Sequence, residues 1–262
     1  MDIKTIEKKE EVLFSAMDRK YYRSFGDVWA WSIYKNGMHA HLHVINPRYQ
    51  DIKRLKLLVQ ATEGFVNFTT GDENYQLPKD RSYFASFRFL LVQEFSNFYK
   101  KILITDIDSL IRKKIDFPNA DFGFYHRKSL DTSEKWYKDG SKVAAGLVFI
   151  NNDAQENASL FLETFKKNLF SFHQEGNWRW MVDQRSLFET YAELKTKYSH
   201  LKFDTFSETD LSWDFNEQSH IWTGKGDRKF KNKKYLKEFR KNKKEYQKKL
   251  RKILLYNFLG IE

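Results

Sequence analysis

The sequence predicts an α/β fold: a mainly parallel sheet with helices on both faces. Three observations predict it. Short apolar runs alternate with longer amphipathic stretches along most of the chain, which is the pattern of βαβ units. No internal repeat and no Pro-, Gly- or Ser-rich linker interrupts the alternation. At 262 residues the chain is long enough to bury a full core as one large domain.

The elements follow in order. VLFSAM (12–17) is a first strand, and residues 18–38 read as a helix with aromatics on one face. HAHLHVINP (39–47) is a second strand, stopped by Pro47, which has no N–H to give a ladder. Residues 50–61 form a short helix carrying Leu55, Leu57 and Leu58, and FVNFTT (65–70) is a third strand. Residues 80–99 read as a long, mostly apolar helix before a fourth strand, ILITD (102–106). ADFGFYH (120–126) and AAGLVFINN (144–152) are further strands, followed by helices over 155–171 and 183–197 and a late strand, LKFDTF (201–206). Sheets of this kind bind ligands outside the carboxyl ends of their strands, so chemistry is sought at that edge.

Composition narrows the classes. Aromatic residues make up 17% of the chain, too many for a disordered protein. The lack of cysteine excludes a disulfide framework, a thiolate metal site and a cysteine nucleophile, and fits a reducing cytoplasm. The opening MDIKTIEKKEEV has no apolar signal core. No apolar run approaches the ~20 residues of a membrane helix. The expectation is a cytoplasmic protein, at most peripheral to a membrane.

The net charge of +11 is unevenly spread. Residues 228–252 carry fourteen Lys and Arg against two Glu, so the rest of the chain is close to neutral. A boundary is expected there, dividing a 1–227 domain from a basic helical tail over 228–262. Tyr235, Leu236, Phe239, Tyr246, Leu250, Ile253 and Leu254 recur in the tail at roughly helical spacing. Such a helix either docks its apolar stripe on the body or lies on an anionic membrane. Nucleic acid is the less expected partner, because no reading motif accompanies the charge.

The fourth strand lies in KKILITDIDSLIRKK (100–114), whose only acids are Asp106 and Asp108. Alternate residues of an extended chain point the same way, so the two carboxylates converge at a strand's carboxyl end while Ile107 turns into the core. Like charges that close repel, and a divalent cation between them removes the cost. Mg²⁺ or Mn²⁺ takes hard oxygen ligands and keeps positions for substrate phosphates. The plainer reading gives each aspartate a capping role at the strand exit. Two enzyme classes place a D-x-D here. Haloacid-dehalogenase-like phosphatases use the first Asp as nucleophile and the second as general acid. Sugar-nucleotide transferases use the pair to hold a metal and a diphosphate. Such phosphatases usually begin with the D-x-D strand, whereas three strands precede this one.

RSYFASFRFLLVQEFSNFYKKILITDIDSL (81–110) resembles the segment leading into the D-x-D of GT-A glycosyltransferases, such as glycogenin and the bacterial lipopolysaccharide glucosyl- and galactosyltransferases. Ser15-Ala16-Met17-Asp18 resembles their nucleotide-binding edge, HLHVINP their second strand and AAGLVFINN their small-residue segment. VDQRSLF (182–188) resembles their Asp-Gln motif, and HIWTGKGDRK (220–229) their late His-x-x-Gly-x-x-Lys segment. These stand in the family's order over residues 12–228. The resemblance implies a metal-dependent glycosyltransferase, a hexosyltransferase acting with retention. Its donor is a nucleotide-diphosphate sugar, UDP-sugar favoured, and its acceptor a saccharide or other hydroxyl compound.

The resemblance also implies site residues. Mn²⁺ or Mg²⁺ would sit on Asp106, Asp108 and His220. Donor contacts would come from Ser15, Ala16, Asp18, Arg88, Asp106, Ile107, Asp108, Gly224 and Lys225. Asp183, Gln184 and Lys225 would be catalytic. Lys225 suits the departing diphosphate as a point charge, and Gly224 and Gly226 let backbone approach its oxygens. The chain departs from the family at Ala144-Ala145, where polar residues usually precede Gly146. It departs again after Gly224, where Pro-Trp is missing and the His-to-Lys spacing is shifted. The alternative is a non-catalytic protein that binds nucleic acid or membrane through the tail.

Two other patterns stand out. His39, His41 and His43 share one strand face and read as half-exposed; zinc is disfavoured because no fourth ligand is evident. Trp178 and Trp180, just before Asp183, are candidates to stack on an acceptor sugar.

Overall fold

The structure, a computed structural model, describes residues 9–71, 77–78, 80–126, 143–153, 156–224 and 226–259. Its strands are β1 (Lys9–Asp18), β2 (Ala40–Ile45), β3 (Val66–Gly71), β4 (Tyr99–Thr105), β5 (Ser109–Ile111), β6 (Phe122–His126), β7 (Val143–Asn151), β8 (Phe203–Phe206), β9 (Leu211–Ser212) and β10 (Ile221–Thr223). Its helices are α1 (Arg19–Tyr21), α2 (Asp27–Tyr34), α3 (Tyr49–Ala61), α4 (Arg81–Leu90), α5 (Val92–Phe95), α6 (Glu156–Gln174), α7 (Val182–Lys197), α8 (Arg228–Lys231) and α9 (Lys233–Leu259).

The main sheet has the order β3-β2-β1-β4-β7-β6-β8. β3, β2, β1 and β4 are parallel, β7 is antiparallel to both β4 and β6, and β8 is parallel to β6. Every strand but β7 therefore ends at one edge, and β7 begins there. A small sheet, β5-β10-β9, carries the chain on from that edge.

Alternation decides which side chains face which layer. Val12, Phe14 and Ala16 of β1 and Ile102 and Ile104 of β4 face one cluster, covered by Phe87 of α4, Phe161 of α6 and Leu187 of α7. Leu13, Met17 and Leu103 face the other, covered by Trp29 of α2 and Leu55 and Leu58 of α3. Burial on both faces is why these strands read as unbroken apolar runs.

Three expectations change. The helix over 18–38 is interrupted by a π-helical turn, Tyr22–Gly26. The helix over 80–99 ends at Leu90 and resumes briefly as α5, because pairing with β1 draws Tyr99 and Lys101 into β4. His41 and His43 are fully buried, not half-exposed. The two nitrogens of His41 meet Tyr99 OH at 2.8 Å and Thr69 Oγ1 at 2.9 Å, and His43 Nδ1 meets the same Thr69 hydroxyl at 2.9 Å. Burial disfavours the imidazolium, lowering His41 well below its ordinary pKa and His43 to about 4.

The tail docks. Tyr235, Asn242 and Tyr246 of α9 are buried, and Phe239, Leu250 and Ile253 pack on the core beside them. Beyond that stripe, Leu254, Leu255, Tyr256, Phe258 and Leu259 are exposed. Among the described residues no helix is long and apolar enough to cross a membrane.

Candidate active site

Asp106 leaves β4 at the ligand edge with the parity of Ile102 and Ile104, toward the α4 and α7 side. Its Oδ1 lies 2.9 Å from Arg88 Nη2. Arg88, at the end of α4, is buried, and the same nitrogen donates to Ala145 O at 3.0 Å and stands 3.8 Å from Asp183 Oδ2. One guanidinium thus ties the ends of β4, β7 and α7 together. Gly146 makes room beside it: a Cβ there would stand 3.1 Å from Asp106 Oδ2.

Asp183 sits in the first turn of α7, and Met181, in the left-handed region at φ 71°, holds the cap position. Burial raises the Asp183 pKa, Arg88 pulls it back, and Asp106 raises it again. Gln184 follows, half-buried, with its backbone N–H on Met181 O at 3.1 Å.

Asp108 departs from simple alternation. The strand ends at Thr105, and Ser109 N–H donates to Asp106 O at 3.1 Å, closing a turn that buries Ile107 and swings Asp108 inward. Asp108 Oδ2 meets Lys229 Nζ at 2.6 Å. Its backbone carbonyl accepts from Tyr235 OH at 2.7 Å and Gly224 N at 3.2 Å. Burial and the nearby Asp106 push the Asp108 carboxyl up to about 6 against the pull of Lys229. Lys229 is itself buried, which works against its charge, but Asp108 more than offsets this and raises its pKa. The expected boundary at 228 therefore falls beside a lysine that reaches the aspartate pair.

The remaining expected residues divide. Asp18, at the end of β1, caps α1 by accepting from Tyr21 N at 2.7 Å, and Tyr21 OH lies 3.3 Å from Lys229 Nζ. Ser15 and Ala16 are buried within β1, the serine hydroxyl without a partner among the described residues. Gly224 adjoins Asp108, but what approaches it closely is Lys229, whose Cβ would lie 2.4 Å from a Cβ at 224. Gly226 adopts φ 59°. Lys225 lies outside the described residues.

His220 is not brought to the pair. β10 pairs Thr223 with Ser109 and Ile221 with Ile111, so Gly224 stands opposite Asp108 and His220 four residues further on, roughly 13 Å at the rise of a strand. That spacing gives the expected role of His220 as a third metal ligand no support. Nor do the two aspartates fit Mn²⁺ or Mg²⁺ well. Asp106 is engaged by Arg88 and Asp108 by Lys229, and the described residues contain no group of three His, Asp or Glu suited to a metal. Lys229, Tyr235 and Tyr21 are the residues that sequence reasoning missed. The signal for Lys229 was its place five residues after Gly224, within the segment that already resembled the family.

A parallel sheet with one reversed strand beside its central strand, and an acidic cluster at the shared edge, is the architecture of the GT-A glycosyltransferases; the chain has that fold. It is similar to LgtC, a galactosyltransferase solved in complex with donor and acceptor sugar analogues. The TM-score is 0.57 at 14% identity, over 82% of this chain and 87% of that one. It is also similar to the glycosyltransferase GlyE of Streptococcus pneumoniae TIGR4, with a TM-score of 0.60 at 13% identity, over 96% of this chain and 64% of that one. The chain thus spans less than two thirds of GlyE. No family model and no curated protein matches the sequence. At these identities the likeness is one of fold.

Proposed function

We propose that the chain is a glycosyltransferase that moves a sugar from a nucleoside-diphosphate sugar to a hydroxyl acceptor. The observation that carries this is the Arg88–Asp106–Asp183 cluster at the carboxyl edge of a GT-A sheet. In the reaction the bond from the sugar's anomeric carbon to the diphosphate breaks, a bond to the acceptor oxygen forms, and the acceptor's proton passes to the departing diphosphate. Negative charge grows on the leaving diphosphate, so fixed cations at this edge stabilise the transition state. Lys229 is suited to that role, and Lys225 is a second candidate. Arg88 orients Asp106, which is about a third exposed and open to the donor. Asp183 and Gln184, at the mouth of α7, are placed in the reading beside the transferred sugar. Trp180, exposed just before them, is proposed to stack on a saccharide acceptor.

A UDP-hexose donor and retention of configuration are carried as parts of the proposal; the galactosyltransferase neighbour favours the hexose. The test is a thermal-shift screen of UDP-, GDP-, CMP- and dTDP-sugars, since ligands of the native state raise the melting temperature. One nucleotide series is expected to stabilise the protein. No shift with any of them overturns the reading. The anomeric configuration of the product, read by NMR, decides retention.

A further inference from the structure

Lys229 is held in place from several sides. Its ammonium lies 5.0 Å from the Tyr21 ring centre, 5.4 Å from that of Phe25 and 5.7 Å from that of Phe230, an aromatic enclosure that favours a cation. Its stem packs on Gly224, where any side chain would collide with it. The same segment grips the backbone of Asp108 through Gly224 N–H and Tyr235 OH. This stretch of chain is shaped around one carboxylate, and it delivers a single positive charge to Oδ2.

We infer that the Lys229 ammonium is the built-in counter-cation of Asp108, taking the cation position of the D-x-D pair so that this chain binds a nucleoside diphosphate without a divalent ion. A metal on Asp108 would bring two cations to one buried carboxylate, and the packed lysine has little room to withdraw. Mg²⁺ asks for near-octahedral oxygen ligands, and the fixed guanidinium and ammonium hold an oxygen on each aspartate. An ammonium has three N–H donors. Asp108 and Tyr21 take two, leaving one for a phosphate oxygen. The diphosphate part of the inference rests on the glycosyltransferase reading; the claim about the cation position does not.

The test begins with Mn²⁺ alone, titrated into the full chain and followed by the electron paramagnetic resonance of the free ion. Wild type and Asp108→Asn are expected to bind it equally weakly. Lys229→Met, which frees Asp108, is expected to bind about tenfold more tightly or better. Stoichiometric binding by wild type that Asp108→Asn abolishes overturns the inference, whether or not Lys229→Met folds. Calorimetry with UDP then compares EDTA with Mn²⁺. Equal affinity in both, reduced by Lys229→Met, supports the inference, and binding only with Mn²⁺ overturns it. Absence of UDP binding under either condition counts against the nucleotide reading alone, while the Mn²⁺ titration still decides the cation position.

Discussion

Arg88 is the residue on which the most geometry converges. Its Nη2 serves Asp106 at 2.9 Å and Ala145 O at 3.0 Å, with Asp183 at 3.8 Å. All three acceptors are met by one terminal nitrogen, Nη2, carried at the end of a rigid planar group, and a lysine ammonium on a shorter, flexible stem does not reach the same point. Arg88→Lys keeps the charge and loses the bridge. It is expected to cost about 2 kcal/mol of stability, since hydrogen bonds to charged groups are the stronger ones. Donor affinity should fall as well, because Asp106 loses its orientation. Urea melts and a UDP titration check both. A variant matching wild type in each would show that the bridge positions nothing.

Elements explain what single residues cannot. Gly224 joins β10 to α8 where a methyl group would lie 2.4 Å from Lys229 Cβ and 3.1 Å from its Cα. Gly224→Ala must push α8 outward, at a cost of about 1–3 kcal/mol for overpacking, and should lift Lys229 from Asp108. A lower melting temperature together with a gain of Mn²⁺ binding is the expected pair of results. The layer formed by β2, β3 and β4 carries a pH dependence. His43 has a folded pKa of about 4 against an ordinary 6.5. Between those values the unfolded chain binds a proton that the native state refuses. The stability from neutral His43 is thus complete above pH 6.5 and lost as pH falls toward 4, about 3 kcal/mol in all. Asp108, raised to about 6, acts in the opposite sense over much of the same range. The useful quantity is therefore the difference between wild type and His43→Asn, in which the Asp108 contribution cancels. Wild type should lose ground to the variant as the buffer is acidified, and a constant difference would contradict this. These same elements mark the limits of sequence reading. The runs ending in Met17-Asp18 and Thr105-Asp106 are legible because burial on both faces leaves unbroken apolar strands. β5, β9 and β10, at two or three residues each, leave no periodicity to read. The burial of His41 and His43 is illegible because it depends on Thr69 and Tyr99 arriving from other strands. Lys229 is hidden among fourteen basic residues and is set apart from them only by a glycine turn and an aspartate far away in the chain.

Across the whole molecule, the basic segment divides into parts with different work. Its first part belongs to the site through Lys229 and Tyr235, and its middle is bound to the body by Asn242 and Tyr246. Cutting the chain after Asp227 should therefore destroy the site, even though composition alone sets that boundary. The last part is different. Leu254, Leu255, Tyr256, Phe258 and Leu259 are exposed on α9, with Phe258 the most open at 85%, and Lys248, Arg251 and Lys252 precede them along the helix, while Lys249 pairs with Glu63 on the body at 2.7 Å. Apolar side chains bordered by lysine and arginine suit the headgroup region of an anionic bilayer, where each basic residue adds about 1 kcal/mol of attraction. We propose that this end of the helix makes peripheral contact with such a surface. A chain ending at Ile253 keeps the buried stripe and Lys229, so its melting temperature and UDP affinity should match the full chain. Cosedimentation with vesicles containing phosphatidylserine should separate the two: the full chain pellets at low salt, and the shortened one pellets much less. Equal pelleting of both would assign any attraction to the lysines alone and remove the apolar end from the proposal.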